Sequence, residues 1–93
     1  MQIMPNKTIV EGKVKSVEPS PDGWGADVEL LVEASEAAAG FSDFLHAEPG
    51  TVLRAFAAQP DGIRPGQSYS LTTSVLGGPQ GERVVIEDAQ AKP

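Results

Sequence analysis

Hydrophobic and polar positions alternate along most of this chain with a period of two, the spacing of β-strands covered on one side. The clearest run is Ala26, Val28, Leu30, Val32 and Ala34, interleaved with Asp27, Glu29, Leu31 and Glu33. One face of that strand is apolar and the other is acidic except for Leu31, the pattern of an antiparallel sheet or barrel with one solvated face. Upstream, Thr8 to Glu18 places Val10, Gly12 and Val14 on one parity and Glu11, Lys13 and Lys15 on the other. Val17 falls out of step. A bulge near Lys15-Ser16 returns it to the apolar face, and bulges of this kind let long strands coil.

Three more strands follow. Thr51 to Ala58 carries Val52, Arg54 and Phe56 on one parity and Leu53, Ala55 and Ala57 on the other. Gln67 to Leu76 puts Tyr69, Leu71, Thr73 and Val75 on one face, and Glu82 to Ala89 holds Val84-Val85-Ile86. Turn chemistry separates them. Pro19-Ser20-Pro21-Asp22-Gly23 ends the first strand, Pro65-Gly66 suits the centre of a type II turn, and Gly77-Gly78-Pro79-Gln80-Gly81 reads as a hairpin loop. Between the second and third strands, Ser35 to Gly50 breaks the alternation. Ala37-Ala38-Ala39 favours helix, Ser35 suits its cap, and Phe41, Phe44 and Leu45 have helical spacing. One or two short helical turns are predicted there. Gln90 to Pro93 reads as a tail.

The five strands make an all-β fold, and 93 residues make one domain, residues 1–93, with a core from about 8 to 89 and short flexible ends. The bulged, glycine-containing first strand (Ile9-Val10-Glu11-Gly12-Lys13-Val14), the line Arg64-Pro65-Gly66-Gln67-Ser68-Tyr69-Ser70-Leu71 and the closing hairpin resemble the oligonucleotide/oligosaccharide-binding (OB) fold, a five-stranded barrel. The helix-like segment departs from that pattern: it falls between strands two and three, whereas the family's helix usually lies between strands three and four. A fibronectin-like sandwich needs about seven strands.

Charge narrows the choice of function. The formal net charge is −6, and no lysine or arginine occurs between Ser16 and Leu53, where Glu18, Asp22, Asp27, Glu29, Glu33, Glu36, Asp43 and Glu48 all lie. Such a field repels phosphate at long range; its plain role is to keep a small protein solvated, and its sharper role is a docking surface for a basic partner. The chain has no cysteine and a single histidine, His46. Ser42, Asp43 and His46 are close in sequence, but a triad is defined by geometry. The glycine loop at 77–81 lacks the lysine ending of a phosphate loop, and the acidic residues lack calcium-loop spacing. The expectation is a non-enzymatic module with no cofactor and no metal. With neither a signal-like start nor an apolar stretch long enough for a bilayer, it is expected in the cytoplasm and away from membranes.

The candidate binding residues are Trp24, Leu31, Lys13, Lys15, Arg54 and Arg83. Trp24, the only tryptophan, stands between two glycines in the loop joining strands one and two. It suits either a barrel-end plug or a stacking platform. Leu31 is the apolar exception on the acidic face. The cations, with Arg64, are scattered over several elements. The OB resemblance implies a ligand lying across strands two and three, flanked by the 1–2 and 4–5 loops. Two readings stand at this stage: a protein-interaction or self-association module, favoured by the acidic face of strand two, and a single-stranded DNA or RNA binder, which the resemblance implies.

Overall fold

The computed structural model describes residues 6–21, 23–43, 45–78 and 81–92. Five strands, β1 (Thr8–Pro19), β2 (Ala26–Ala37), β3 (Val52–Ala57), β4 (Ser68–Gly78) and β5 (Gly81–Ala91), close into a barrel in the order β1-β2-β3-β5-β4. All neighbours are antiparallel except β3 and β5, which run parallel. This small closed barrel is compatible with an OB-like fold.

The inward parity read from the sequence is the core. Val10, Val14, Val28, Leu30, Val32, Ala55, Ala57, Tyr69, Leu71 and Ile86 are all buried. β-Branched residues suit this half-covered pleat because their stiff side chains pack against cross-strand neighbours. Two bulges shape the β1–β2 pair. In the first, Val14 pairs with Leu30 and Ser16 with Glu29, leaving Lys15 as the extra residue. Val17 therefore turns back to the core and lies opposite Val28. In the second, Glu11 pairs with Ala34 and Gly12 with Val32, so Glu33 is extra on β2. That extra residue switches the parity of β2, and Ala34, expected inside, is exposed.

The expected helical turns between Ser35 and Gly50 are absent from the described residues. Ala37, which begins the alanine run, is the last residue of β2 and pairs with Thr8. The Ala38 N–H then donates to the Lys7 carbonyl at 3.0 Å. Cross-strand hydrogen bonds here outweigh the few tenths of a kcal/mol per residue by which alanine favours helix. Phe41 lies on the surface, Leu45 is half-buried against the core, and Phe44 falls outside the described residues. In place of a helix, Asp43 anchors the segment. Its Oδ1 accepts from Thr8 Oγ1 (2.8 Å), Leu45 N (3.0 Å) and His46 N (3.0 Å). Burial raises the carboxyl's pKa, but the bonds from His46, Thr8 and Leu45 outweigh it and hold the group below its ordinary value.

The expected tail also proves to be structured. β5 runs on to Ala91, which pairs with Tyr69, and the Lys92 N–H donates to the Ser68 carbonyl at 2.9 Å. Lys92 Nζ binds Glu11 Oε2, and that bond raises the ammonium's pKa above its ordinary value. At the other end the Asn6 side chain acts as a surrogate strand residue. Its Nδ2 donates to Val75 O (3.0 Å) and its Oδ1 accepts from Val75 N (2.7 Å), so it extends the β1–β4 ladder. The expected turns hold among the described residues: Gly23 takes a positive φ after β1, and the β4–β5 hairpin closes across Gly78 and Gly81. Asp22, Pro79, Gln80, Pro93 and residues 1–5 lie outside the described residues.

The Pro65-Gly66 turn shows the expected geometry. Gly66 has φ +88°, and Gln67 N–H donates back to Arg64 O at 3.4 Å. A Cβ at Gly66 meets nothing within 4 Å, so a side chain there costs only backbone strain. Gly66→Val is expected to lose about 1–2 kcal/mol in chemical denaturation, and Gly66→Asn to recover much of that. Equal stability of all three proteins rules out a left-handed residue 66.

Candidate functional site

The outward face of β1, β2 and β3 gathers most of the residues singled out from the sequence. Cross-strand pairing sets it out in rows. Lys13 of β1, Leu31 of β2 and Val52 of β3 form the first row. Ser16, Glu29 and Arg54 form the second, and Glu18, Asp27 and Phe56 the third. Leu31 is 38% exposed and Val52 48%, so two apolar side chains stand side by side at the surface. Directly opposed pairs of this kind bring Cβ atoms to about 5 Å.

Around this pair the charges alternate in sign. Arg54 Nη2 lies 3.3 Å from Asp27 Oδ2. Glu29 Oε1 accepts from Ser16 Oγ at 2.8 Å. Lys15, as the bulge residue next to Ser16, is exposed. Arg83 comes from the start of β5 and stacks on the Phe56 ring, 4.0 Å from its centroid. Arg54, Asp27, Phe56, Glu82 and Arg83 together line a shallow depression of about 220 Å³. A guanidinium over an aromatic face is attractive by about 0.5–1 kcal/mol at an exposed position.

Trp24 is 77% exposed, so it does not plug the end of the barrel. It immediately precedes Gly25, whose backbone supports Phe56. A Cβ on Gly25 would lie 2.6 Å from Phe56 Cζ and 2.4 Å from the Ala57 carbonyl oxygen, and Gly25 has φ +73°. Only glycine fits both the close approach and the positive φ. The β1–β2 loop thus brings an exposed indole to the end of the face where Phe56 and Arg83 stack.

Four of the five basic residues named from the sequence border this face: Lys13 and Lys15 on β1, Arg54 on β3 and Arg83 on β5. Arg64 sits off the β1–β2–β3 rows, in the turn before β4 that is bonded to Val14 on the other edge of β1, where its backbone N–H donates to Tyr69 Oη at 2.8 Å. The cations do not form a continuous track, because the Asp27–Glu29 edge of β2 runs between the β1 lysines and Arg54. Phe56 is the member of the site that sequence reasoning did not select. Its signal was present, as the one aromatic residue on the parity of Val52 and Arg54. Ser42, Asp43 and His46 lie elsewhere. Asp43 Oδ1 is occupied by Thr8 Oγ1 and the backbone of residues 45 and 46, and His46 holds a positive φ of 49°. No known family model, curated protein or solved structure matches this chain.

Proposed function

We propose that this chain is a non-enzymatic binding module that engages a protein surface, either a second copy or a partner, through the outward face of β1–β2–β3. The observation that carries this reading is the exposed Leu31–Val52 pair set among charges of both signs. Interfaces combine an apolar centre with a polar rim, and tryptophan, phenylalanine and arginine are enriched in them. Trp24, Phe56, Arg54 and Arg83 supply those types at one end of the face. The mixed signs also suit a two-fold contact, in which Lys13 and Lys15 of one copy meet Glu29 and Glu33 of the other. The strand order and the parallel β3–β5 contact support assignment to the OB type, in which ligands lie across strands two and three and the 1–2 loop.

Single-stranded nucleic acid is the second reading, and two features favour it: the exposed Trp24 and the pair of arginines in the depression on the same face. Tryptophan faces stack on bases, and arginines neutralise phosphate. Against it stand Asp27, Glu29 and Glu82 in the same depression or row, and a net charge of −6. Arg83 also covers one side of the Phe56 ring.

Two measurements separate the readings. Sedimentation from micromolar to millimolar concentration is expected to show a weak dimer that Leu31→Asp dissociates. Titration with mixed single-stranded oligonucleotides, followed by Trp24 fluorescence, is expected to show no sub-micromolar binding at physiological salt. Tight, steeply salt-dependent binding lost in Arg54→Ala and Arg83→Ala overturns the protein-interaction reading. A monomer at every concentration removes the self-pairing version.

A further inference from the structure

The barrel closes through a short seam. β3 and β5 pair at only two positions, Phe56 with Val85 and Ala57 with Ile86. β5 nevertheless continues to Ala91, laddered to β4 along its other side through Asp88, Ala89, Gln90 and Ala91. From Glu87 onward, no strand among the described residues lies on the β3 side of β5. The cause is the turn that removes β3 from the sheet. Ile63 N–H donates to Pro60 O at 3.0 Å, and the chain folds back so that Ile63 enters the core. A bulge in β5 adds to the separation: Thr73 pairs with Ile86 and Thr72 with Asp88, which leaves Glu87 extra.

A cleft of about 360 Å³ fills the lane that β3 vacates. Ala57, Ile63 and Ile86 contribute its apolar part, and Asp61, Glu87 and Asp88 its charges. Five residues of open strand edge span about 16 Å, enough to ladder with a short extended peptide. Charged residues on edges commonly block indiscriminate pairing. Here all three have one sign, so they reject acidic segments and complement basic ones. Lys7 already neutralises Glu87 at 3.7 Å, whereas Asp61 and Asp88 have no such cation among the described residues.

We propose that the Glu87–Ala91 edge of β5 docks an extended, lysine- or arginine-bearing segment of a partner protein by strand addition in the lane beyond β3. The backbone edge supplies the hydrogen bonds, the buried Ile63 and Ile86 form only the floor of the cleft, and Asp61 and Asp88 select basic side chains. This site shares no residue with the β1–β2–β3 face and does not rest on that reading.

The probe is a synthetic peptide of alternating lysine and valine. An alternating glutamate–valine peptide and a proline-interrupted lysine–valine peptide serve as comparisons. The readout is amide hydrogen exchange, resolved by NMR, across residues 87–91 of the intact chain. The lysine–valine peptide is expected to slow exchange of the amides pointing away from β4 by about tenfold or more. The acidic and proline-interrupted peptides are expected not to do so. The doubly substituted Glu87→Lys, Asp88→Lys chain should reverse the preference toward the acidic peptide, and both positions are exposed, so the fold tolerates the change. Leu31→Asp should leave the protection intact, which separates this result from any failure of the other face. Unchanged exchange with the lysine–valine peptide overturns the proposal. So does equal protection by the proline-interrupted peptide, because charge alone would then explain the contact.

Discussion

Leu30→Asp is expected to abolish the folded state, whereas Leu31→Asp, one residue further on, shifts the stability of the monomer by no more than about 1 kcal/mol. Leu30 is 1% exposed and lies among the core residues Val14, Val28 and Val32. A carboxylate there has no cation or hydrogen-bond donor to compensate its lost hydration, a cost of at least several kcal/mol. A domain of this size has about 5–15 kcal/mol in total. Leu31 faces the other way, opposite Lys13 on one side and Val52 on the other. An aspartate there remains hydrated and gains a cationic neighbour. Thermal melts followed by circular dichroism measure both changes. The reverse order of stabilities would show that β2 is turned over.

The contrast between these two leucines was legible in the sequence because period two assigns neighbours to opposite faces, and β2 obeys it from Ala26 to Glu33. So was the Lys15 bulge, because Val17 made sense only if one residue was skipped. What the sequence hid was set by distant pairing. Ala37-Ala38-Ala39 has a local preference for helix, yet its first residue is held in a strand by Thr8, nearly thirty positions earlier. Ala34 carried no sign that Glu33 would be extra, since the second bulge belongs to the pairing of β2 with β1 and to neither strand alone. The tail was misread for a related reason: Lys92 is fastened by Glu11 and Ser68, which are remote in sequence. The candidate site divides in the same way. Leu31 and Trp24 announced themselves as apolar residues in polar surroundings. The stacking of Arg83 on Phe56 depended on a parallel contact between strands that are not consecutive, which no local pattern encodes.

Gly12→Ala is expected to cost about 3 kcal/mol or more, although it adds a single methyl group to a strand. Gly12 does not need a left-handed conformation; what it needs is space. A Cβ built there lies 2.1 Å from the Leu31 carbonyl oxygen, 3.0 Å from the Leu31 carbonyl carbon and 3.1 Å from Leu30 Cγ. The first two are backbone atoms of the paired strand, so no change of rotamer relieves the clash. The close approach comes from the second bulge, where Glu33 is extra and the β2 backbone bends toward β1 at the Gly12–Val32 pair. Relief requires β1 and β2 to separate beside Leu30, the centre of the core, and overpacking that moves backbone lies at the costly end of its range. Gly77→Ala is the matched control. It makes the same change in β4, with nothing within 4 Å of the added Cβ, and alanine there should be neutral or stabilising by up to about 1 kcal/mol. Urea unfolding midpoints of the two variants against the parent chain measure the difference. If Gly12→Ala unfolds at the same urea concentration as Gly77→Ala, the two strands are not in close contact at this bulge, and the register that presents Leu31 beside Lys13 and Val52 is wrong as well.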